Sequence, residues 1–330
     1  GALIFLYSAV LFGTIIHESS AAEVAIDANV TTVILAQQKS GKSVVCTTDA
    51  FCYAFYIDVN NDLSYQKSTD GGASWAGTPT VLDAGTWVAF GVWYDQWTPG
   101  DTTGTYIHIA YYSIADDIMY ERLNTSGDTN LGTEAVIAST GAQGSLTTSN
   151  DVAISKGTNG DIYAATVDTT APTAPANFTH VCPNGSDCTL DASWASAGAN
   201  PWDGTGDDTD GDHDIVLLPL PDDASHDAGD MMLVSLDVAD GTVEYKVYDD
   251  SANAWATDFT NLPTGATDST TYTHTLSGTV ATSTGVIYVS YIHNAGTADT
   301  GEVRAAKYTG GSWSSLTAPW PASTDGTSIV

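Results

Sequence analysis

The chain is poor in basic residues. Eight Lys and Arg stand against 40 Asp and Glu in 330 residues, a formal net charge of −32. Nucleic-acid binding draws on clustered Lys and Arg to displace counterions, so that class is excluded. Polybasic attachment to anionic lipid is excluded on the same ground. Cysteine is scarce at four residues, and no C-x-x-C-H occurs, which removes c-type haem. The seven histidines, among them His108, His213 and His293, show no H-x-x-x-H spacing, and there is neither a G-x-S-x-G nor a phosphate-binding loop.

What is present is apolar enough for a large core, with 42% hydrophobic and 10% aromatic residues, so the acidity belongs to the surface. Six of the 40 acids are Glu, which leaves 34 Asp. Such a surface suits two settings: high salt, where excess negative charge keeps a protein soluble, or divalent cations, which carboxylates bind.

The cysteines form two local pairs of equal spacing, Cys46 with Cys52 and Cys182 with Cys188, around the turn-like stretches TTDAF and PNGSD. Two short disulfide loops are the simplest reading and place the chain in an extracellular, oxidising setting. One zinc site shared by all four is the competing reading, although structural zinc favours shorter spacings. Sequons at Asn29, Asn124, Asn177 and Asn184 agree with export and glycosylation.

Residues 2–16 carry no charge, and the segment from 21 to 38 has no Gly or Pro. This predicts an N-terminal apolar α-helix within residues 1–42, either continuous or giving way to a strand after Asn29. Fifteen apolar residues are short for a membrane span, which needs about 20. A secretory signal with small residues at Ser20 to Ala22 has this length too. The stretch GALIFLYSAVLFG resembles the N-termini of archaellins and archaeal type IV pilins. That resemblance implies a filament core built by Leu3, Ile4, Phe5, Leu6, Val10, Leu11, Phe12, Ile15 and Ile16, with copies of the chain as partners. A plain membrane anchor is the alternative.

Residues 43–330 read as a β-repeat head. Five strand pairs superimpose: CYAFYID with LSYQKS, IHIAYYS with IMYERL, DIYAATVD with FTHVC, MMLVSLDV with TVEYKVY, and VIYVSYIHN with EVRAAKY. They alternate apolar and polar residues, and most are joined by Asp-, Asn- or Gly-containing turns. Trp75, Leu131, Trp194, Trp255 and Trp313 follow them at steps of 56, 63, 61 and 58 residues. The expected fold is mainly β: repeated antiparallel sheets forming a β-propeller of about five blades, with tandem β-sandwiches as the alternative.

Ser68-Thr69-Asp70-Gly71-Gly72-Ala73-Ser74-Trp75 matches S-x-D-x-G-x-[ST]-W and so resembles the Asp-box of sialidase-like β-propellers, whose Ser68, Asp70, Gly72 and Trp75 positions clasp a hairpin. The family's sialidase mechanism holds the substrate carboxylate with three arginines, and this chain has only Arg122 and Arg304. No catalytic residues are therefore assigned. A different glycosidase needs only two carboxylates, and Glu121, Glu134, Glu244 and Glu302 read as solvent-facing. The run from Asp203 to Asp214 concentrates carboxylates, and Asp208, Asp210, Asp212 and Asp214 are candidate calcium ligands against a merely solvated loop. Trp87, Trp93, Tyr94, Trp97, Tyr106, Tyr111 and Tyr112 either stack on neutral sugars or fill the core between sheets.

Together these features predict a structural subunit of an extracellular surface filament that displays an acidic β head. The alternative is a membrane-anchored propeller that binds or cuts a glycan.

Overall fold

The computed structural model describes residue 26 and residues 43–113, 117–130, 134–138, 151–167, 178–202, 212–237, 242–262, 276–294 and 301–316. The expected N-terminal helix and its assembly residues lie outside these, as do Asn29, Asn177, Asp208 and Asp210. No helix among the described residues is long and apolar enough to cross a membrane.

The described residues form five antiparallel sheets, each a meander taken in sequence order. Sheet 1 holds β1 (Val44–Cys46), β2 (Cys52–Ile57), β3 (Leu63–Ser68) and β4 (Thr80–Asp83). Sheet 2 holds β5 (Trp87–Tyr94), β6 (Tyr106–Ser113), β7 (Ile118–Asn124) and β8 (Thr129–Asn130), with β9 (Ala135–Ala138) also on β7. Sheet 3 holds β10 (Asp151–Lys156), β11 (Ile162–Val167), β12 (Phe178–Cys182) and β13 (Ala195–Ser196). Sheet 4 holds β14 (Asp212–Pro219), β15 (Met231–Asp237), β16 (Thr242–Asp249) and β17 (Ala254–Trp255), with β18 (Thr260–Asn261) also on β16. Sheet 5 holds β19 (Ser277–Val280), β20 (Ile287–Asn294), β21 (Gly301–Thr309) and β22 (Ser312–Ser315). The five strand pairs legible in the sequence are the second and third strands of the five sheets.

Period-2 alternation explains how the sheets stack. Successive residues of a strand point to opposite faces, and in the inner sheets both faces are buried. Tyr53, Phe55 and Ile57 of β2 pack with Phe90, Val92, Ile107, Ile109 and Tyr111 of sheet 2. The opposite face of sheet 2, with Ala89, Trp93, Ala110, Tyr112 and Tyr120, meets Val152, Ile154, Ile162 and Ala164 of sheet 3. Ala153, Tyr163 and Ala165 then meet Ile215, Leu217, Met231 and Leu233 of sheet 4. Val216, Leu218, Met232 and Val234 meet Ile287, Val289, Tyr291 and Tyr308 of sheet 5. Among the described residues no core cluster joins sheet 5 to sheet 1, so the described sheets form an arc.

The first strands of sheets 2 to 5 approach one another along the inner edge of this arc: β5 packs on β10, β10 on β14 and β14 on β19. Gly91 permits the first of these contacts, because a Cβ there would lie 2.8 Å from the Val152 carbonyl oxygen. Two buried aspartates repeat at the other seams. Asp151 Oδ2 accepts the Ile215 amide at 2.9 Å, and Asp214 Oδ2 accepts the Leu276 amide at 3.2 Å.

Both disulfides form as paired in the sequence. Cys46–Cys52 joins directly opposed residues of β1 and β2, and Cys182–Cys188 closes a loop at the end of β12. All four cysteines are thereby accounted for, which overturns the zinc alternative.

Several sequence expectations are corrected. Glu121 and Glu244 are buried, at 5% and 2% exposure, while Glu134 is exposed. Trp87, Trp93, Tyr94, Tyr111 and Tyr112 are core residues, because they belong to strands buried on both faces. Asp214 is fully buried on β14, where its carboxylate serves the Leu276 amide instead of an exposed loop. Among the described residues no group of three or more His, Cys, Asp or Glu is placed to hold a metal.

Candidate functional site: a cleft between sheets 2 and 3

Two long connections meet at the seam between sheets 2 and 3: residues 95–105, joining β5 to β6, and 183–194, joining β12 to β13. Their counterparts at 47–51, 157–161 and 281–286 for first-to-second strands, and at 125–128, 250–253 and 310–311 for third-to-fourth strands, are shorter, while 220–230 of sheet 4 and 69–79 of sheet 1 are of similar length. Long, internally braced loops on a rigid sheet scaffold are where binding sites concentrate. Here they enclose a cleft of about 570 Å³.

The other three seams are also bridged by direct contacts. Tyr53 donates its hydroxyl to Asp128 at 2.5 Å across sheets 1 and 2, and Lys67 joins the same carboxylate. Tyr163 donates to Asp250 at 2.8 Å across sheets 3 and 4. His226 Nε2 and the Tyr308 hydroxyl lie 3.0 Å apart across sheets 4 and 5.

The floor of the cleft is an ionic network centred on Asp95, which is 1% exposed. Its Oδ1 accepts from His108 Nε2 at 2.9 Å and Lys156 Nζ at 2.6 Å, and its Oδ2 accepts the Tyr106 amide at 2.8 Å. His108 Nδ1 lies 2.7 Å from the Tyr120 hydroxyl. Because the Asp95 carboxylate can only accept, the imidazole proton sits on Nε2 and Tyr120 donates to Nδ1. Burial holds the His108 pKa below its ordinary value and outweighs the pull of Asp95. Burial also works to raise the Asp95 pKa, but the hydrogen bonds from His108, Lys156 and the Tyr106 amide prevail and hold it well below the usual carboxylate range. His108 is therefore a neutral brace with both ring nitrogens engaged.

Lys156 extends the network to the rim, donating to Asp101 Oδ2 at 2.8 Å. Burial opposes its charge, but Asp101 and Asp95 together raise its pKa. Its carbonyl accepts the Thr98 hydroxyl at 2.9 Å, and Trp93 Nε1 donates to the same Thr98 oxygen at 3.0 Å, so loop 95–105 is bolted to β10. On the opposite wall Arg122 donates to Asp187 at 3.1 Å and stands 5.1 Å over the Tyr106 ring. Of the aromatics proposed for sugar stacking, Tyr106 alone lines this cleft.

The rim brings in a predicted residue in an unforeseen role. Asn184 Nδ2, the acceptor atom of its sequon, donates to the Asn159 carbonyl at 2.9 Å, and its amide donates to Asp161 at 2.6 Å. Gly160 has φ +91°, and a Cβ there would meet Asn184 Nδ2 at 2.6 Å, so glycine serves both the turn and the contact. The disulfide Cys182–Cys188 holds this wall, and Trp194 Nε1 ties it down by donating to the Cys188 carbonyl at 2.9 Å.

The remaining predicted residues lie elsewhere. In the β3–β4 hairpin, Ser68 and Ser74 donate their hydroxyls to Asp70 at 2.8 and 2.6 Å, and the Gly72 amide donates to Ser68 Oγ at 2.8 Å. Trp75 sits half-exposed beside this turn. Asn124 ends β7, with its Oδ1 accepting the Ser126 amide and hydroxyl. Sequence reasoning missed Asp95, Asp101, Lys156 and Asn159; the turn-rich run DQWTPGDTTG was the signal that marked the loop of the first two, while Lys156 and Asn159 lie at the end of β10 and in the turn after it.

No protein-family model matches the chain, and no curated protein matches it. Similar solved structures include the polysaccharide lyase Uly1, at 15% identity and TM-score 0.43 over 63% of this chain and 51% of that one. A second is a fungal lectin from Aleuria aurantia, described as a six-bladed β-propeller with a novel fucose recognition mode, at 11% identity and TM-score 0.45 over 82% and 74%. A third is the Hadza microbial sialidase Hz136, at 12% identity and TM-score 0.45 over 85% and 58%. The chain thus spans about half the length of the lyase and the sialidase.

Proposed function

We propose that this chain is an extracellular glycan-binding protein whose five sheets are blades of a β-propeller, with the saccharide site in the cleft between sheets 2 and 3. One observation supports this above others: the two long loops that meet at this seam, tied across it by Lys156–Asp95 and Arg122–Asp187, line a polar cleft of about 570 Å³. Its lining alternates donors and acceptors on Asp101, Thr103, Asn159, Asn184 and Lys156 beside one aromatic ring, Tyr106, which is the mixture that sugar hydroxyls and C–H faces require. His108 lacks a free nitrogen and the buried carboxylates are engaged in bracing, so the reading is of binding without hydrolysis. A glycan array followed by titration calorimetry tests it. Saccharide binding that Asn159→Ala and Tyr106→Ala weaken supports the site, and turnover of the bound glycan overturns the non-enzymatic part.

A second reading concerns what carries the head. The uncharged segment 2–16 favours a filament subunit assembled through that segment, because leaving its large apolar side chains in water costs about 1.5–3 kcal/mol each. Electron microscopy of the native material distinguishes filaments from dispersed particles. Calcium binding by segment 203–214 is a separate proposal resting on Asp208, Asp210 and Asp212. A rise in melting temperature with added Ca²⁺, reversed by chelation, tests it.

A further inference from the structure

We infer that the cleft selects uncharged sugar units, and that Asp101 and Asp187 are the residues that exclude anionic ones; this rests on the glycan-binding reading above. The cleft draws in Lys156 and Arg122, two of only eight basic residues in the chain. A ligand carboxylate or sulfate would need one of them. Each already faces a carboxylate that is held in place by other bonds. Asp101 Oδ1 accepts the Thr103 and Gly104 amides at 3.1 and 2.8 Å while its Oδ2 meets Lys156 at 2.8 Å. Asp187 Oδ1 accepts the Thr189 amide and hydroxyl at 3.2 and 2.8 Å as well as Arg122. Lys156 is also bound to Asp95, which His108 and the Tyr106 amide keep fixed.

An anionic sugar at either cation would thus lie against a fixed like charge at contact distance, well inside the Debye length, where salt screens it only in part. A cationic sugar would meet the same difficulty with Lys156 and Arg122. A hydroxyl group has neither problem, because it accepts from the cation and donates to the carboxylate without displacing either. Lys156 and Arg122 set against Asp95, Asp101 and Asp187 leave this constellation with one net negative charge, which orients hydroxyl groups and adds to the rejection of anions.

The test uses the full chain near neutral pH at about 0.15 M salt and matched oligosaccharides that end in galactose or galacturonate, and in glucose or glucuronate. The neutral member of each pair is expected to bind about tenfold or more tightly than its acidic partner, equivalent to about 1.4 kcal/mol. Asp187→Asn and Asp101→Asn are expected to move that ratio about tenfold toward the acid. Asp187 is exposed on its loop, so its variant stays informative if Asp101→Asn melts early. Tighter binding of the uronates by the unmodified protein, or a ratio unmoved in both variants, overturns the inference while the glycan reading stands. Binding of no saccharide in either series removes the glycan reading itself and the inference with it.

Discussion

The Lys156 ammonium, at the end of the first strand of sheet 3, lies 2.6 Å from Asp95 Oδ1 on the loop that leaves the first strand of sheet 2. This contact joins two sheets and shapes the candidate site. Replacing Lys156 by Met leaves Asp95 and Asp101 facing each other without a counter-charge. Breaking a buried pair from one side costs about 3–5 kcal/mol, and the partial exposure of Lys156 brings the expectation to about 2–4 kcal/mol. Urea denaturation measures it, and an unchanged midpoint would show that the network does not hold the seam.

Acid sensitivity follows from His180, which burial lowers to about 4 from an ordinary value of 6.5. The unfolded chain binds this proton more readily, so stability is complete above the unfolded value and is lost as pH falls from about 6.5 toward 4. By that linkage the protein gives up about 2–3 kcal/mol through this residue. His180→Gln is expected to remove that part of the slope, as read from denaturation midpoints across the window.

Asp83 acts in the opposite direction. Burial and then the charge of Glu134 raise its pKa to about 6. Its contribution is present below the unfolded value near 4 and is lost as pH rises through 6. Asp83→Asn is therefore expected to stabilise the protein near neutral pH by about 1 kcal/mol, after allowance for solvent screening, and to give no gain at pH 4.

The inner edge of the arc predicts a packing limit at Gly91. An alanine there puts its Cβ 2.8 Å from the Val152 carbonyl oxygen, which the strand contact cannot absorb without a shift. A loss of about 1–3 kcal/mol in calorimetry is expected, as for other overpacked cores.

The two disulfides should separate in function. Replacing Cys182 and Cys188 by Ser is expected to cost about 2–3 kcal/mol and to abolish saccharide binding, because that loop is a wall of the cleft. Replacing Cys46 and Cys52 by Ser should cost stability and leave affinity unchanged. Equal effects of the two double variants on affinity would argue against the cleft as the site.

The sheets were legible in the sequence, and the cleft was not. CYAFYID and LSYQKS announce a hairpin because alternation and turn chemistry are local, and β2 and β3 pair as those residues predict. The aromatic cluster from Trp87 to Tyr112 was ambiguous, since an exposed stacking surface and a doubly buried strand have the same composition. Only the neighbouring sheets resolve it. Asp214 reads as part of an acidic run, yet it lies inside the core because β14 begins two residues earlier.

The sequence by itself determined a mainly β, acidic chain of five repeating strand pairs and two short disulfide loops, since each of these depends on residues close together along the backbone. The tertiary structure decided where the cleft lies and how its charges are paired. Asp95 and Lys156 are 61 residues apart, and Arg122 and Asp187 are 65 apart. Such pairs form only when adjacent sheets bring separate loops together, and no local pattern of residues encodes which loops will face each other.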